Sequence, residues 1–282
     1  MDQIKATRNT QHATRNTQHP IRTTHYALLD RIILILLAVY LFIYVFSVPM
    51  LMLDWVPSWG TWMGGFLNLL QGSLMALWLY ANARWRGLIA AGAILVLVFA
   101  VEYIGVTTGV PFGRYTYTDM LGWKLFGAVA LPIPFAWLLI VPAAIGMCRA
   151  IGVRGWWVAV IAPLLVTLYD LLLEPFAAYI MDYWRWIDTG PYYGVPTANF
   201  LAWFGTALVL TIITLSLCGQ RITRPNVLPW VPALLYALNL LLVTLVDLAY
   251  GYLLAALIGA IVLVVCGWRW QMGRQGDKEI GR

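Results

Sequence analysis

The stretch LPWVPALLYALNLLLVTLVDLAYGYLLAALIGAIVLVVCGW, residues 228–268, decides the fold class. It is twice as long as one membrane span of about 20 apolar residues, and Asp247 and Gly251 interrupt it near the middle. A tight hairpin of two transmembrane helices, 228–247 and 250–268, is therefore predicted. Helices are the expected spanning structure, because lipid offers the backbone no hydrogen-bond partners and these runs lack the alternation of barrel strands.

Further apolar blocks of similar length precede this hairpin. They cover, roughly, residues 31–53, 63–82, 87–107, 124–147, 156–180 and 199–218. The chain is thus predicted to be all-α, a polytopic transmembrane helical bundle of about eight spans, with residues 30–268 as its single membrane domain.

The distribution of basic residues predicts the orientation of these spans. With the N-terminus in the cytoplasm, every cytoplasmic segment is basic, and all but three of the 18 Lys and Arg lie on that side. The three outside are Arg114, Lys124 and Arg185. Seven spans would place the basic C-terminus outside, so eight spans with both termini inside, in the plasma (inner) membrane, are expected.

The composition supports a membrane protein and argues against nucleic-acid binding. Charged residues make up only 11% of the chain, whereas a soluble domain is about 25% charged. Most basic residues lie in short loops, where they set topology, so no nucleic-acid partner is expected. The three cysteines are scattered and the histidines are confined to the N-terminal region, so neither a disulfide framework nor a metal site is predicted.

Both ends of the chain are predicted to lie outside the bundle. Residues 1–29 are polar, repeat the heptad ATRNTQH at 6–12 and 13–19, and lack an apolar stripe, so a disordered tail is expected. Residues 269–282 are predicted to form a basic cytoplasmic tail.

Three acidic residues within the spans are the main candidates for chemistry. Glu102, Asp170 and Glu174 lie in the outer halves of their spans, and an ionised side chain at mid-bilayer costs at least about 2.5–3.5 kcal/mol. Asp170 and Glu174 have i,i+4 spacing and share one helix face, which favours one neutral acid beside one ionised partner. The alternative is a purely structural role, in which each acid forms a hydrogen bond to a neighbouring helix. That structural role is the expected one for Asp247, at a helical turn.

Two long outer loops, rich in glycine, proline and aromatic residues, complete the candidate site. Residues 105–123 read GVTTGVPFGRYTYTDMLGW, and residues 181–203 read MDYWRWIDTGPYYGVPTANFLAW. This composition predicts a fixed, non-helical cap, although aromatic residues also anchor proteins at bilayer interfaces. Each outer arginine either pairs with a nearby carboxylate or serves as a solvated anchor. The candidate substrate-binding residues are Tyr103, Arg114, Tyr115, Tyr117, Trp123, Trp184, Arg185, Trp186, Tyr192, Tyr193, Asn199 and Trp203.

These motifs resemble the carotenoid biosynthesis protein family, which includes carotenoid 1′,2′-hydratases and bisanhydrobacterioruberin hydratases. The resemblance is carried by EYIGVTTGVPFGRYTY at 102–117 and DYWRWIDTGPYYGVPTANFLAW at 182–203, and it extends over roughly 30–268. Ala202 stands where the family has Gly, and Glu174 where the acid is often Asp. The resemblance implies a hydratase that adds water to the terminal C1′=C2′ double bond of an acyclic carotenoid end.

The residues suit the reaction that the resemblance implies. A carboxylic acid protonates C2′, aromatic faces stabilise the tertiary carbocation at C1′, and a second carboxylate deprotonates the attacking water. Asp170 or Glu174 is the expected proton donor, and Glu102 its partner or the base. This chemistry requires no metal, nucleotide or redox cofactor. The expected partners are water and a carotenoid dissolved in the lipid bilayer, and association with other carotenoid enzymes is a further expectation.

Two other functions stay open from the sequence. Buried acids and interrupted outer segments would suit a proton-coupled transporter, although such carriers break their helices near mid-membrane. A non-catalytic lipid-binding or pigment-binding membrane protein is the other alternative.

Overall fold

The computed structural model describes residues 28–280, with side chains described as far as residue 272. Long helices dominate this part of the chain. They are α1 (Leu28–Met52), α2 (Met63–Ala83), α3 (Trp85–Thr108), α4 (Pro132–Ala150), α5 (Val158–Glu174), α6 (Thr197–Cys218), α8 (Val231–Ala249) and α9 (Leu253–Ile280), with the short α7 (Gln220–Thr223) after α6. A π-helical turn, Pro175–Ile180, continues α5.

The hairpin predicted for residues 228–268 is present as α8 and α9, which pack against each other. Helix α9 continues past the predicted boundary at 268 to Ile280. The predicted N-terminal tail, 1–29, lies outside the described residues except for Leu28 and Leu29, which begin α1.

Seven helices in the described part of the chain are long and apolar enough to cross a membrane, which confirms an all-α polytopic bundle. Helix α2 is the long helix outside this set, because Asn68, Gln71 and Asn82 lower its hydropathy. It nevertheless packs against α3 and α4 inside the bundle. The count of eight crossings therefore depends on α2, and the orientation stays a prediction.

Reporter fusions test that orientation. Fusions at Thr118 and Thr189 are expected to report an external position, and fusions at Arg86 and Arg221 a cytoplasmic one, because basic loops are retained inside. Alkaline phosphatase and fluorescent-protein fusions give the two readouts. Cytoplasmic signals at both Thr118 and Thr189 would contradict the topology.

Two short β-ribbons are present, one joining the two loops that were predicted to be non-helical and one within the predicted span 124–147. In the first, β1 (Tyr115–Tyr117) pairs antiparallel with β4 (Trp184–Trp186), so the ribbon joins the two loops. In the second, β2 (Lys124–Leu125) pairs antiparallel with β3 (Val129–Ala130).

The second ribbon corrects the predicted span 124–147. Its turn contains Phe126 at φ 49° and Gly127 at φ 70°, a left-handed conformation that a helix cannot include. Helix α4 begins only at Pro132, where the missing N–H of proline is tolerated in the first turn. The apolar residues before Pro132 resemble a helix in composition, which explains the error.

Helix α4 is almost completely buried and contacts α2, α3, α5 and α8. Its approach to α2 depends on Gly72, since an added Cβ there would lie 2.6 Å from the carbonyl oxygen of Phe135. Small residues allow such close backbone contact between membrane helices.

Replacing Gly72 by leucine is therefore expected to destabilise the fold by about 1–3 kcal/mol, because overpacking forces the two helices apart. Thermal unfolding of the purified protein in detergent measures the effect. Gly92→Leu is the matched control, because no atom lies within 4 Å of a Cβ added at Gly92. Equal melting temperatures for the two variants would contradict the close α2–α4 contact.

Candidate functional site

The β1–β4 ribbon directs aromatic side chains toward the bundle. Tyr115 lies opposite Trp186 and Tyr117 opposite Trp184, while Thr116 lies opposite Arg185. Successive side chains of a strand point to opposite faces, so the four aromatic residues face inward and the middle pair faces out. The rings also meet across the ribbon, with Tyr115 and Trp186 centroids 5.2 Å apart.

The tyrosine strand holds Glu102, which lies buried near the outer end of α3. The hydroxyls of Tyr115 and Tyr117 donate to its Oε2 over 2.6 and 2.7 Å. Burial raises the pKa of both tyrosines well above the usual value. Both hydroxyls therefore stay protonated and remain hydrogen-bond donors.

The tryptophan strand holds Glu174, the last residue of α5 before the π-helical turn. The indole N–H groups of Trp184 and Trp186 donate to its Oε2 over 3.1 and 2.8 Å. Asn199, on α6, donates to its Oε1 over 3.0 Å. Each strand of the ribbon thus binds one carboxylate. The π-helical turn that follows Glu174 is a feature often found at functional sites.

Asp170 lies one helical turn before Glu174 and is linked to it by Asn199. The Nδ2 of Asn199 donates to Asp170 Oδ2 over 2.9 Å as well as to Glu174. The two acids therefore share a helix face, as their spacing predicts. Asp170 is fully buried, and its Oδ1 has no hydrogen-bond partner among the described residues.

A cavity of about 380 Å³ lies beneath the ribbon. Glu102 and Glu174 both line it, and so do Trp137 of α4 and Trp203 of α6, whose rings stack with centroids 4.2 Å apart. The volume falls at the lower end of ligand pockets, about 300–1,000 Å³. The cavity brings two carboxylates and several aromatic faces into one largely apolar space. This arrangement is suited to acid–base chemistry on an apolar ligand.

The structure brings only part of the predicted site to this cavity. The predicted residues that line it are Glu102, Tyr115, Tyr117, Glu174, Trp184, Trp186, Asn199 and Trp203. The predicted residues outside its lining are Tyr103, Arg114, Trp123, Asp170, Arg185, Tyr192 and Tyr193.

The two arginines were predicted as substrate-binding residues, but their side chains are largely exposed and paired with carboxylates. Arg114 binds Asp188 over 2.7 Å, and Arg185 binds Asp182 over 2.6 Å. Hydrogen bonding to these arginines holds the pKa of each aspartate below its usual value. Arg185 is excluded from the cavity because it occupies the outward position of β4. The pairing with nearby carboxylates that the sequence suggested is present.

The aromatic residues placed away from the cavity have other roles. Trp123 is 75% exposed, as an interfacial anchor would be, and Tyr103 is half-exposed on α3. The hydroxyl of Tyr192 donates to the carbonyl of Leu171. The hydroxyl of Tyr193 accepts a hydrogen bond from the backbone N–H of Leu254, in the first turn of α9.

Several cavity residues that lie inside spans were not among the predicted site residues. Trp137 lies within an apolar block, where nothing in the sequence distinguishes it. Residues of α1 and α2, including Tyr40 and Gln71, also line the cavity. Polar residues within spans, such as Gln71 and Asn239, were the signal that could have found them.

Comparison with known proteins places the chain in a family. Residues 63–266 match the family described as "Carotenoid biosynthesis protein", a range that includes both carboxylates, the ribbon and α2–α8. A bisanhydrobacterioruberin hydratase from Haloarcula japonica is 31% identical over 132 residues. That alignment covers 45% of this chain and 44% of the relative, so the chain spans less than half the length of the relative it matches. No solved structure matches the chain. The extent of the family match shows that the chain belongs to the carotenoid biosynthesis protein family.

Proposed function

We propose that the chain is a carotenoid hydratase of the plasma membrane, which adds water to the terminal C1′=C2′ double bond of an acyclic carotenoid end. The observation that carries the proposal is the pair Glu102 and Glu174, each held by one strand of the ribbon and both lining one aromatic cavity. The hydratase from Haloarcula japonica supports this reaction class.

The hydrogen bonds favour Glu174 as the base. Trp184, Trp186 and Asn199 can only donate through these N–H groups, and an ionised carboxylate accepts all three bonds. Such an anion can take a proton from water. Asp170 contacts Asn199 rather than the cavity, so it acts as a positioning residue for this base.

Glu102 is the better proton donor. Its partners are hydroxyls, which can rotate and accept a bond as well as donate one, so a neutral acid is accommodated between them. This assignment reverses the division expected from the sequence, in which Asp170 or Glu174 donated the proton and Glu102 was the partner or base.

The proposed reaction balances without an oxidant or reductant. The proton of Glu102 forms a C–H bond at C2′ with the electrons of the double bond, which leaves a tertiary cation at C1′. The faces of Trp137 and Trp203 stabilise that cation. Water oxygen bonds to C1′ and its proton passes to Glu174. Return of that proton from Glu174 to Glu102 restores the starting state.

Expression of the full chain in cells that make lycopene or γ-carotene tests the proposal. The expected result is a carotenoid heavier by one water, with a tertiary hydroxyl, in the membrane fraction. An unchanged carotene that co-purifies with the protein would instead indicate a pigment-binding protein. An unchanged carotene with no bound pigment, in cells where a known hydratase works, would also overturn the proposal.

A further inference from the structure

A second polar cluster lines the same cavity, away from the carboxylates. Asn239 of α8 donates to Gln71 Oε1 of α2 over 2.7 Å and to the hydroxyl of Tyr40 on α1 over 3.4 Å. Asn68, on the same face of α2 as Gln71 at i,i+3 spacing, also lines the cavity. None of these residues was among the predicted site residues.

These amide groups are only partly satisfied. Gln71 is 3% exposed, yet its Nε2 has no partner among the described residues, and the Asn68 side chain has none there either. A polar group enclosed by protein is costly to leave without a hydrogen-bond partner. Hydrogen bonding between helices explains the contact of Gln71 with Asn239. It does not involve Gln71 Nε2 or the Asn68 side chain, and both residues line the cavity.

The cluster and the carboxylates come from different helices, since Gln71 and Asn239 lie on α2 and α8, whereas Glu102 and Glu174 lie on α3 and α5. Gly64, at the start of α2, abuts the hydroxyl of Tyr183, the residue before β4. Gln71 follows Gly64 by seven residues, which places it about 10 Å further along the helix. Leu67 and Val243 line the cavity and contribute apolar wall. The cavity therefore has an acidic end and an amide-lined part, with apolar surface as well.

We propose that Gln71 and Asn68 form a binding subsite for a hydroxyl group on the carotenoid, so that the preferred substrate is an oxygenated carotenoid. A hydrocarbon cannot pair with amides, whereas a hydroxyl oxygen accepts from Gln71 Nε2 and its proton bonds to Asn68 Oδ1. This inference rests on the proposed function and specifies its substrate class. A bound water would satisfy the same groups, and the experiment separates the two sources.

The experiment compares two acyclic carotenoids that share one unsaturated end, a hydrocarbon and its hydroxylated counterpart. With the full-length protein in lipid vesicles, KM is expected to be about 10-fold lower for the hydroxylated compound, since one net hydrogen bond is worth about 1 kcal/mol or somewhat more. In the Asn68→Leu/Gln71→Met variant, the ratio of the two KM values should fall to about one. Gln220→Met is the matched control, because Gln220 is exposed outside the cavity.

Equal KM values for the two compounds in the wild type would overturn the subsite and indicate bound water alone. Asn68→Leu, which removes no hydrogen bond within the described part of the chain, gives the same test if the double variant does not fold. Equilibrium binding, followed by the visible absorption of each carotenoid, must show the same preference. A wild type that binds the hydroxylated compound more tightly but hydrates neither would refute the proposed function and leave the subsite standing.

Discussion

Glutamine at position 102 or 174 is expected to lower hydration at least about 100-fold, because the amide keeps the shape of the side chain but can neither donate the proton to C2′ nor accept one from water. The protein should still insert and fold, since the substitutions remove an ionisable group from a buried site. Product formation by each purified variant, at equal protein in vesicles, measures the effect.

Two further variants sharpen this prediction. Asp119→Asn removes a carboxylate from an exposed ion pair with Lys124 and is expected to leave hydration unchanged. Asp170→Asn should reduce hydration less than Glu174→Gln, because Asp170 lies behind Asn199. Near-normal hydration by both Glu102→Gln and Glu174→Gln would show that the two acids are structural.

Removing both hydroxyls in Tyr115→Phe/Tyr117→Phe is expected to reduce hydration at least about 10-fold. The change leaves Glu102 Oε2 without its two donors, which stabilise the carboxylate that forms when Glu102 gives its proton to C2′. A hydrogen bond to a charged group is worth about 1.5–3 kcal/mol. The rings and their contacts with the tryptophans stay in place. Rate measurements at saturating carotenoid separate a loss in kcat, which we expect, from a loss in binding.

Thr116→Val is the matched control for the tyrosine pair, since Thr116 lies between them and faces outward. It is expected to behave as wild type. If the control loses as much activity as the double variant, the effect comes from the ribbon fold and not from the hydroxyls bound to Glu102.

The helices could be predicted from the sequence because each is a local apolar run. Residues 228–268 predicted α8 and the start of α9 within a few residues, although α9 continues to Ile280. Two of the acids within predicted spans, Glu102 and Glu174, line the cavity. The start of α4 could not be predicted, because the apolar run extends through the β2–β3 turn to Pro132.

The pairing of β1 with β4 could not be predicted from the sequence, because the two strands are far apart in the chain. The alternation in Tyr115–Tyr117 and Trp184–Trp186, with a polar residue between two aromatic ones, was a local sign of strands. It does not indicate that the two strands meet, or which carboxylate each strand holds. Helical spacing likewise placed Asp170 and Glu174 on one face but could not show that Asn199 separates Asp170 from the cavity.

Hydration in water labelled with heavy oxygen is the sharpest test of whether Glu102 and Glu174 catalyse the addition of water to a carotene. Purified full-length protein in lipid vesicles is incubated with an acyclic carotene, and the products are analysed by mass spectrometry. A tertiary alcohol with one heavy oxygen is expected from the wild type, and none above background from Glu102→Gln or Glu174→Gln. Unchanged carotene with the wild type, or labelled alcohol at the wild-type rate from both variants, would contradict this expectation.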